Sequence, residues 1–112
     1  LVVLGYLDAE NFAGGTMKLD KEGATKGLQK LADELGMSLY ELASGVAQIA
    51  EFQMADLVRK ATIQKGLDPR EFVLFAFGGA GPVHMAVTAR EAGIKRVVVP
   101  QGDTASTWCA FG

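Results

Sequence analysis

The residues from Phe72 to His84, FVLFAFGGAGPVH, constrain the fold more than any other part of the sequence. Phe72 to Phe77 is an uncharged run of aromatic, β-branched and other apolar residues, too short for a helix, and it predicts a fully buried strand of a parallel sheet. Gly78 to Gly81 follows as a tight turn. Pro82 suits the first position of a helix, because its φ is already helical and its missing N–H would be unpaired there. The stretch is therefore predicted to be a strand, a glycine loop and a helix.

Two interpretations of the glycine loop are consistent with its sequence. A helix N-terminus presents free backbone N–H groups and partial positive charge, so it suits an anion such as a nucleotide phosphate. The loop has neither the Lys-Ser/Thr of GxxxxGK[ST] nor the spacing of GxGxxG, so it matches neither common phosphate fingerprint. Glycines also allow a helix to pack closely on a strand at a tight turn. Spacing alone leaves both interpretations open.

The overall composition excludes several classes of protein. The 112 residues are enough for one domain, and a hydrophobic content of 49% is enough for a packed core. The 11 basic and 13 acidic residues are mixed along the chain and give a net charge of -2, which argues against a nucleic-acid or membrane partner. The single cysteine, Cys109, excludes an internal disulfide and a cysteine-based zinc site, and it fits a cytoplasmic protein.

Residues 1 to 19 are predicted to be a strand and a loop. Leu1 to Leu4 (LVVL) is short, apolar and β-branched, as strands are, and Gly5 to Gly15 is a connection rich in Gly, Asp and Asn. The chain starts without an initiator Met and without a basic region before its apolar run. We therefore expect its natural start to lie upstream.

Residues 20 to 66 are predicted to form two helices. The first covers Lys21 to Leu35, with Asp20 as its N-cap and Gly36 as a left-handed residue at its end. The second starts at a capping box of Ser38 and Glu41 and continues to Gly66, with apolar residues at every third or fourth position. It would have roughly 27 residues and a length of about 40 Å. A helix that exceeds its own domain in this way is expected to lie against another part of a larger structure.

Residues 72 to 99 are predicted to form a right-handed β-α-β unit. The helix runs from Pro82 to Ala92 and ends at Gly93, and a second strand, Arg96 to Val99, stops at Pro100. The tail, residues 100 to 112, ends in an apolar segment, Trp108 to Phe111. Two or three predicted strands are too few for a complete parallel sheet with both faces covered. We therefore interpret residues 1 to 112 as a single partial α/β domain cut from a larger enzyme.

His84 and Cys109 are the side chains most suited to catalysis or ligand binding. His84, the only histidine, lies near the start of the helix after the glycine loop, within possible reach of a bound phosphate or a reacting carbonyl. We favour a hydrogen bond to the local backbone, because no second ligand or base lies near it in sequence. Cys109 has no neighbouring His or basic residue to lower its pKa, which predicts a buried, inert thiol.

Two polar clusters are weaker candidates. Asp8, Glu10 and Asn11 have the side chains to hold a hydrated cation, but polar residues in a turn more often bond their own backbone, so no metal site is predicted. The tail offers hydroxyl groups that either contact phosphate or cap a following helix, and the sequence does not choose between these roles. Those hydroxyl groups belong to Thr104, Ser106 and Thr107.

Several segments together resemble the hydantoinase A and 5-oxoprolinase family, which includes the nucleotide-binding subunits of acetone and acetophenone carboxylases. The matching segments are DAENFAGGTMKLD, KGLDPREFVLFAFGGAGPVHMAVTAREAGIKRVVVP and the final CAFG. The resemblance covers almost the whole chain, and GLDPREFVLFAFGGAGPVH is its most specific part. It identifies the chain as an internal, C-terminal part of the catalytic region.

The resemblance implies an ATP-dependent enzyme with the fold of actin, Hsp70 and the sugar kinases. In that fold, a strand followed by Gly-Gly approaches the adenosine part of ATP. The corresponding residues here are Phe77, Gly78, Gly79, Ala80 and Gly81. The family uses ATP and Mg²⁺ to phosphorylate an amide or enolate oxygen. The implied substrate is a cyclic amide, as in hydantoinases and 5-oxoprolinases, or alternatively a ketone, as in the carboxylases.

The resemblance also sets expectations about partners and activity. The implied partners are the remainder of the parent chain and a second subunit of the hydantoinase B type. The family's phosphate loops and metal-holding acids are absent from these residues, so we expect the 112-residue chain alone to be inactive. Because an excerpt leaves its sheet edges and the Trp108 to Phe111 segment uncovered, we also expect the isolated chain to self-associate. A further alternative is that the long helix serves subunit contacts and the chain never touches the nucleotide.

Overall fold

The computed structural model describes residues 1–102 and 105–111, apart from the side chains of Ser106 and Phe111. The α-helices and strands are α1 (Lys21–Leu35), α2 (Leu39–Ile63), β1 (Val73–Phe75), α3 (Gly81–Ala92), β2 (Arg96–Val98) and α4 (Trp108–Phe111). Short 3₁₀ helices cover Ala13–Gly15, Pro69–Glu71 and Ala105–Thr107. The chain divides into two compact units, Leu1–Ile49 and Ala50–Gly112, so the boundary falls within α2.

The first four residues form a turn, so the predicted strand from Leu1 to Leu4 is wrong. The backbone N–H of Gly5 donates to the Val2 carbonyl at 3.1 Å, and that of Tyr6 donates to the Leu1 carbonyl at 3.0 Å. An apolar, β-branched run becomes a strand only where a neighbouring strand pairs with its backbone. Here nearby residues use two of its carbonyls, and Val3 contributes a buried side chain instead.

Helix α1 has the predicted bounds, and both of its predicted end residues are confirmed. A carboxylate oxygen of Asp20 accepts a hydrogen bond from the N–H of Gly23 at 2.7 Å, and Gly36 ends the helix with a left-handed φ of 67°. A Cβ at position 23 would collide with the Asp20 carboxylate. Gly23 therefore weakens the helix interior but leaves room for the cap.

Helix α2 starts at the predicted capping box. The N–H of Ser38 donates to the Glu41 carboxylate at 2.8 Å, and the N–H of Glu41 donates to the Ser38 hydroxyl at 3.3 Å. The helix ends at Ile63, before the predicted limit at Gly66. Gly66 is left-handed with a φ of 74°, and the N–H of Leu67 donates back to the Thr62 carbonyl at 3.1 Å. The glycine thus terminates the helix as predicted, but through a closing turn that precedes it.

The second unit contains the predicted β-α-β arrangement, with α3 connecting two parallel strands. Val73 pairs with Arg96, and Phe75 pairs with Val98. Each strand has three residues, fewer than predicted, although the N–H of Ala76 still donates to the Val98 carbonyl at 2.9 Å. The right-handed sense of the crossover stays a prediction.

The prediction that the first strand is fully buried is wrong, because the Phe75 side chain is 44% exposed. In the part of the chain that the structure describes, the sheet has only these two strands. Its buried side packs on the helices around a small core of Ala55, Ala89, Ala92 and Ile94, with Val58, Leu74 and Val97 against it. The sheet therefore has one packed face, and Phe75 lies on the more exposed one.

Candidate functional site

The glycine loop after β1 leads into α3 through one left-handed residue. Gly78 has a φ of 78°, a left-handed conformation that side-chain-bearing residues rarely adopt. Helix α3 begins at Gly81, and Pro82 occupies its second position, one residue later than predicted. The predicted order of strand, glycine loop and helix is therefore confirmed, and Gly78 is explained by backbone conformation alone.

The N-terminus of α3 has no side-chain cap. Its N-cap residue is Ala80, which carries no acceptor. Across the described residues, the backbone N–H groups of Gly78, Gly79 and Ala80 make no hydrogen bond, and Gly79 and Ala80 are exposed. Free N–H groups at the positive end of a twelve-residue helix attract an anionic or hydrogen-bond-accepting ligand. The loop thus offers donors that the surrounding protein does not use.

Gly79 and Gly81 are not explained by helix packing. A Cβ built at Gly79 would meet no atom within 4 Å, and its φ is not left-handed. At Gly81 the nearest atom would be the carbonyl carbon of Ala76 at 3.9 Å, which is an ordinary contact. The close-packing interpretation of the loop therefore has no support at these two positions within the described structure. The other interpretation, an approach by a group outside this chain, stays a prediction.

Phe77 lies between the strand and the loop. It is partly buried and follows the buried Ala76. Like Gly78 and Gly79, it makes no hydrogen bond through its backbone N–H in the part of the chain that the structure describes. The five predicted site residues, Phe77, Gly78, Gly79, Ala80 and Gly81, therefore form one continuous backbone segment. Apart from the ring of Phe77, this segment consists of backbone with little side chain.

His84 contacts a buried carboxylate, which the sequence did not reveal. Its Nδ1 lies 3.3 Å from Oε1 of Glu51 on α2, and the two side chains are 13% and 5% exposed. An ionised Glu51 would accept a hydrogen bond from Nδ1–H, and this tautomer of the neutral ring leaves Nε2 as an acceptor. The expected hydrogen bond to local backbone is wrong, since the partner lies 33 residues away in sequence. No local pattern marks Glu51, and its position on the mostly apolar face of α2 is the only signal.

The remaining candidates do not form a second site. The Asp8 carboxylate accepts from the N–H of Glu10 at 3.0 Å, and Glu10 pairs with Lys18 at 2.6 Å, so these acids serve their own loop. No group of three or more His, Cys, Asp or Glu side chains that could hold a metal ion occurs in the described ranges. Cys109 is exposed, so the prediction of a buried thiol is wrong.

The hydroxyl groups predicted in the tail are only partly described by the structure. Thr104 lies outside the described residues, as does the side chain of Ser106, whereas Thr107 ends the 3₁₀ helix that precedes α4. None of the described helices is both long enough and apolar enough to cross a membrane.

The strand, open glycine loop and crossover helix define a mixed α/β protein with an exposed backbone segment before α3. The family model described as Hydantoinase/oxoprolinase matches residues 1–112. The chain belongs to that family, as its sequence resemblance predicted.

Relatives with described activities match along nearly the entire chain. The acetone carboxylase beta subunit of Xanthobacter autotrophicus is 38% identical, and the match covers 99% of this chain and 15% of that protein. The acetophenone carboxylase gamma subunit of Aromatoleum aromaticum is 40% identical, with the same coverage of both chains. The crystal structure of ATP-dependent caprolactamase from Pseudomonas jessenii matches with a TM-score of 0.86 and 35% identity, over 98% of this chain and 16% of that chain. The chain therefore spans about 15% of the length of these relatives.

Proposed function

We propose that residues 77 to 81 form one wall of an ATP site in a larger enzyme of the hydantoinase/oxoprolinase family. The observation that carries this proposal is the combination at Gly79: free N–H groups beside it, and open space where a Cβ would lie. A relative with a similar structure over this segment is described as ATP-dependent. ATP has an adenosine face and phosphate oxygens, and either of these fits a backbone surface that lacks side chains.

The reaction that we propose is ATP-driven activation of a cyclic amide. An amide carbonyl is poorly electrophilic, and transfer of the γ-phosphoryl group to its oxygen makes that oxygen a leaving group before hydrolysis. Similarity to a caprolactamase subunit and to 5-oxoprolinases supports this class of substrate. The alternative is activation of a ketone as its enolate before carboxylation, which similarity to the two carboxylase subunits supports.

The contribution of this chain to the reaction is binding and orientation. The free N–H groups of the loop would hold the nucleotide, and the exposed backbone at Gly79 would let it lie close. Mg²⁺ would neutralise the phosphate oxygens when bound. The described residues contain no cluster of acids to hold the ion, so its protein ligands would come from elsewhere in the parent enzyme. The β-α-β unit fits a place within an actin-like or Hsp70-like domain of that enzyme.

A second function is supported by the exposed apolar side chains of α2. Leu57 is 65% exposed, and several other apolar residues of the helix are also exposed, namely Tyr40, Val46, Ile49, Phe52 and Ile63. Such side chains are costly in water and suit burial against protein. We propose that the remainder of the parent chain, or a second subunit of the hydantoinase B type, covers them in a cytoplasmic assembly.

Gly79→Val in the full-length enzyme tests the ATP site. The Cβ of the new side chain would lie in the open space beside Gly79, with no described atom beyond its chain neighbours within 4 Å. We expect the dissociation constant for ADP with Mg²⁺, measured by calorimetry, to rise at least tenfold while the melting temperature without nucleotide changes little. Gly27→Val is the matched control, because Gly27 in α1 also has open space around it and lies outside the loop. Unchanged ADP affinity in the Gly79 variant would remove the glycine loop from the ATP site.

A further inference from the structure

Glu51 and His84 form an ionisable pair in a nearly buried setting. The Glu51 side chain is 5% exposed and the imidazole is 13% exposed, with 3.3 Å between Oε1 and Nδ1. Removing a carboxylate from water is costly unless a donor replaces the lost hydration. Two apolar side chains of similar size would fill the same space without that cost. Unlike apolar packing, the pair forms a directional contact between two defined atoms.

The apolar core beside this pair includes small buried side chains from both helices, namely Ala55 on α2 and Ala89 and Ala92 on α3, with Val58 of α2 partly buried against them. Flat alanine surfaces allow two helices to approach but fix their position along the helix axes poorly, whereas a directional hydrogen bond fixes it. Further along, the Arg59 guanidinium donates to the backbone carbonyl of Glu91. The two polar contacts occur in the same order along both helices, so α2 and α3 run parallel here.

The two polar contacts differ in their distance from the glycine loop. His84 is the fourth residue of α3, three positions after Gly81, and lies close to the start of the helix. A helical side chain covers the turn on the N-terminal side of its own Cα, so a fixed imidazole holds the first turn of the helix. Arg59 instead holds the last turn, at Glu91. Only the Glu51–His84 contact therefore acts at the end of α3 that presents the free N–H groups.

We propose that Glu51 is a positioning residue for the glycine loop. It orients His84 and thereby sets where the first turn of α3, and the N–H groups before it, lie on the sheet. This inference rests on the proposed ATP site. It assigns a role in nucleotide binding to a residue on α2, which lies outside the loop and is separated from it in sequence by the end of α2 and by β1.

Four variants of the full-length enzyme separate positioning from packing. Glu51→Leu leaves the imidazole without its partner, and we expect a lower melting temperature and a roughly tenfold higher dissociation constant for ADP with Mg²⁺. The double variant Glu51→Leu/His84→Leu replaces the pair by apolar groups, so the melting temperature should recover while ADP affinity stays low. Glu51→Gln retains an acceptor for Nδ1–H and should bind ADP within threefold of the wild type. Arg59→Met is the matched control, since it loosens the far end of the same helix and should lower the melting temperature without changing ADP affinity.

The outcomes that overturn the inference are distinct from those that overturn the ATP site. If ADP affinity recovers in the double variant, or if Arg59→Met weakens ADP as much as Glu51→Leu does, the pair only stabilises the fold and the inference is wrong. Gly79→Val is measured beside these variants. If Gly79→Val also leaves ADP affinity unchanged, the proposed ATP site itself is wrong. If Gly79→Val weakens ADP binding and Glu51→Leu does not, only the role of Glu51 is lost.

Discussion

The indole of Trp108 stacks on the ring of Phe75, with their centroids 5.9 Å apart and 9° between their planes. Trp108 belongs to the apolar tail segment that was expected to be uncovered, and Phe75 lies on the more exposed face of β1. The stack gives each ring a partner across a long separation in sequence. The expectation of a wholly uncovered tail is therefore wrong for Trp108.

Removing the Phe75 ring should expose Trp108 to water. Trp108 is the only tryptophan of the 112-residue chain, so its emission reports on this contact. In that chain, Phe75→Ala should shift the emission maximum to longer wavelength and lower stability by about 0.5–1.5 kcal/mol beyond the loss of buried area. Phe72→Ala, at the residue just before β1, is the control and should leave the emission maximum in place. An unshifted spectrum in Phe75→Ala would show that the rings do not stack in solution.

The capping box of α2 should lose stability at acidic pH. Hydrogen bonds from the Ser38 side chain and backbone hold the pKa of the Glu41 carboxyl below its usual range. A carboxyl with a lowered pKa in the folded state stabilises that state above its unfolded pKa, and this stabilisation is lost as the pH falls through the folded pKa. We therefore expect the start of α2 to fray below about pH 4.

A carboxyl-detected NMR titration checks this expectation directly. Ser38→Ala should move the pKa of Glu41 back towards that of an ordinary glutamate and cost about 1 kcal/mol as a lost N-cap. Glu41→Gln should remove the acid-dependent change at the start of α2. An identical Glu41 titration curve in the Ser38 variant would contradict the assigned cause.

Thr88 should tolerate replacement by valine with a gain in stability. The side chain is fully buried, and its Oγ1 has no hydrogen-bond partner among the described residues. Valine has nearly the same shape and removes the unpaired hydroxyl, so Thr88→Val should stabilise the protein by about 1 kcal/mol. Thermal unfolding measures the change, with Thr88→Ala as the comparison that loses volume and should destabilise. A lower melting temperature for Thr88→Val would mean that the hydroxyl has a partner that this chain does not supply.

Gly78 and its neighbour Gly79 should respond differently to alanine. Gly78 is left-handed, so Gly78→Ala should cost about 1–2 kcal/mol in backbone strain. Gly79 has neither a left-handed φ nor a close neighbour, so Gly79→Ala should change stability little. This is tested by measuring the melting temperatures of the two variants of the parent enzyme without nucleotide. Equal losses at the two positions would contradict the loop conformation described here.

The isolated 112-residue chain should self-associate. Its exposed apolar side chains on α2 and the open face of its short sheet offer surfaces that suit another protein. Light scattering over a range of concentrations should give masses above that of the monomer, 11.8 kDa. Ile49→Lys/Leu57→Lys should reduce association by charging the helix surface. A constant monomer mass for the unmodified chain would contradict the prediction.

Local sequence signals predicted most of the helix ends. Asp20 and the Ser38–Glu41 box each act through backbone groups within three residues, and Gly36 and Gly66 act through their own φ. Because these capping hydrogen bonds and glycine conformations involve only neighbouring residues, they leave a pattern in the local sequence. The strand–loop–helix order at Phe72 to His84 was predictable for the same reason, because turn residues and apolar runs mark it.

Contacts between distant residues were not predictable in this way. Glu51 resembles any glutamate on a helix until α3 brings His84 beside it, and Phe75 gave no sign of its stacking on Trp108. The error at LVVL has a related cause, because strand propensity cannot supply the neighbouring strand that pairing requires. Similarly, open space at Gly79 is a property of the folded surroundings. The sequence identifies the glycine but does not show whether a Cβ at that position would meet other atoms.

The parallel pairing of β1 with β2 has a consequence for the order of folding during synthesis. Little more than α3 separates the paired strands, so the entropy lost in closing this segment is modest, and the β-α-β unit is expected to form as soon as β2 leaves the ribosome. Helix α2 emerges earlier, and its carboxylate at Glu51 remains hydrated until His84 has been made. Pulse-labelled hydrogen exchange on stalled chains, ending before or after β2, would show whether protection of α2 waits for the strand.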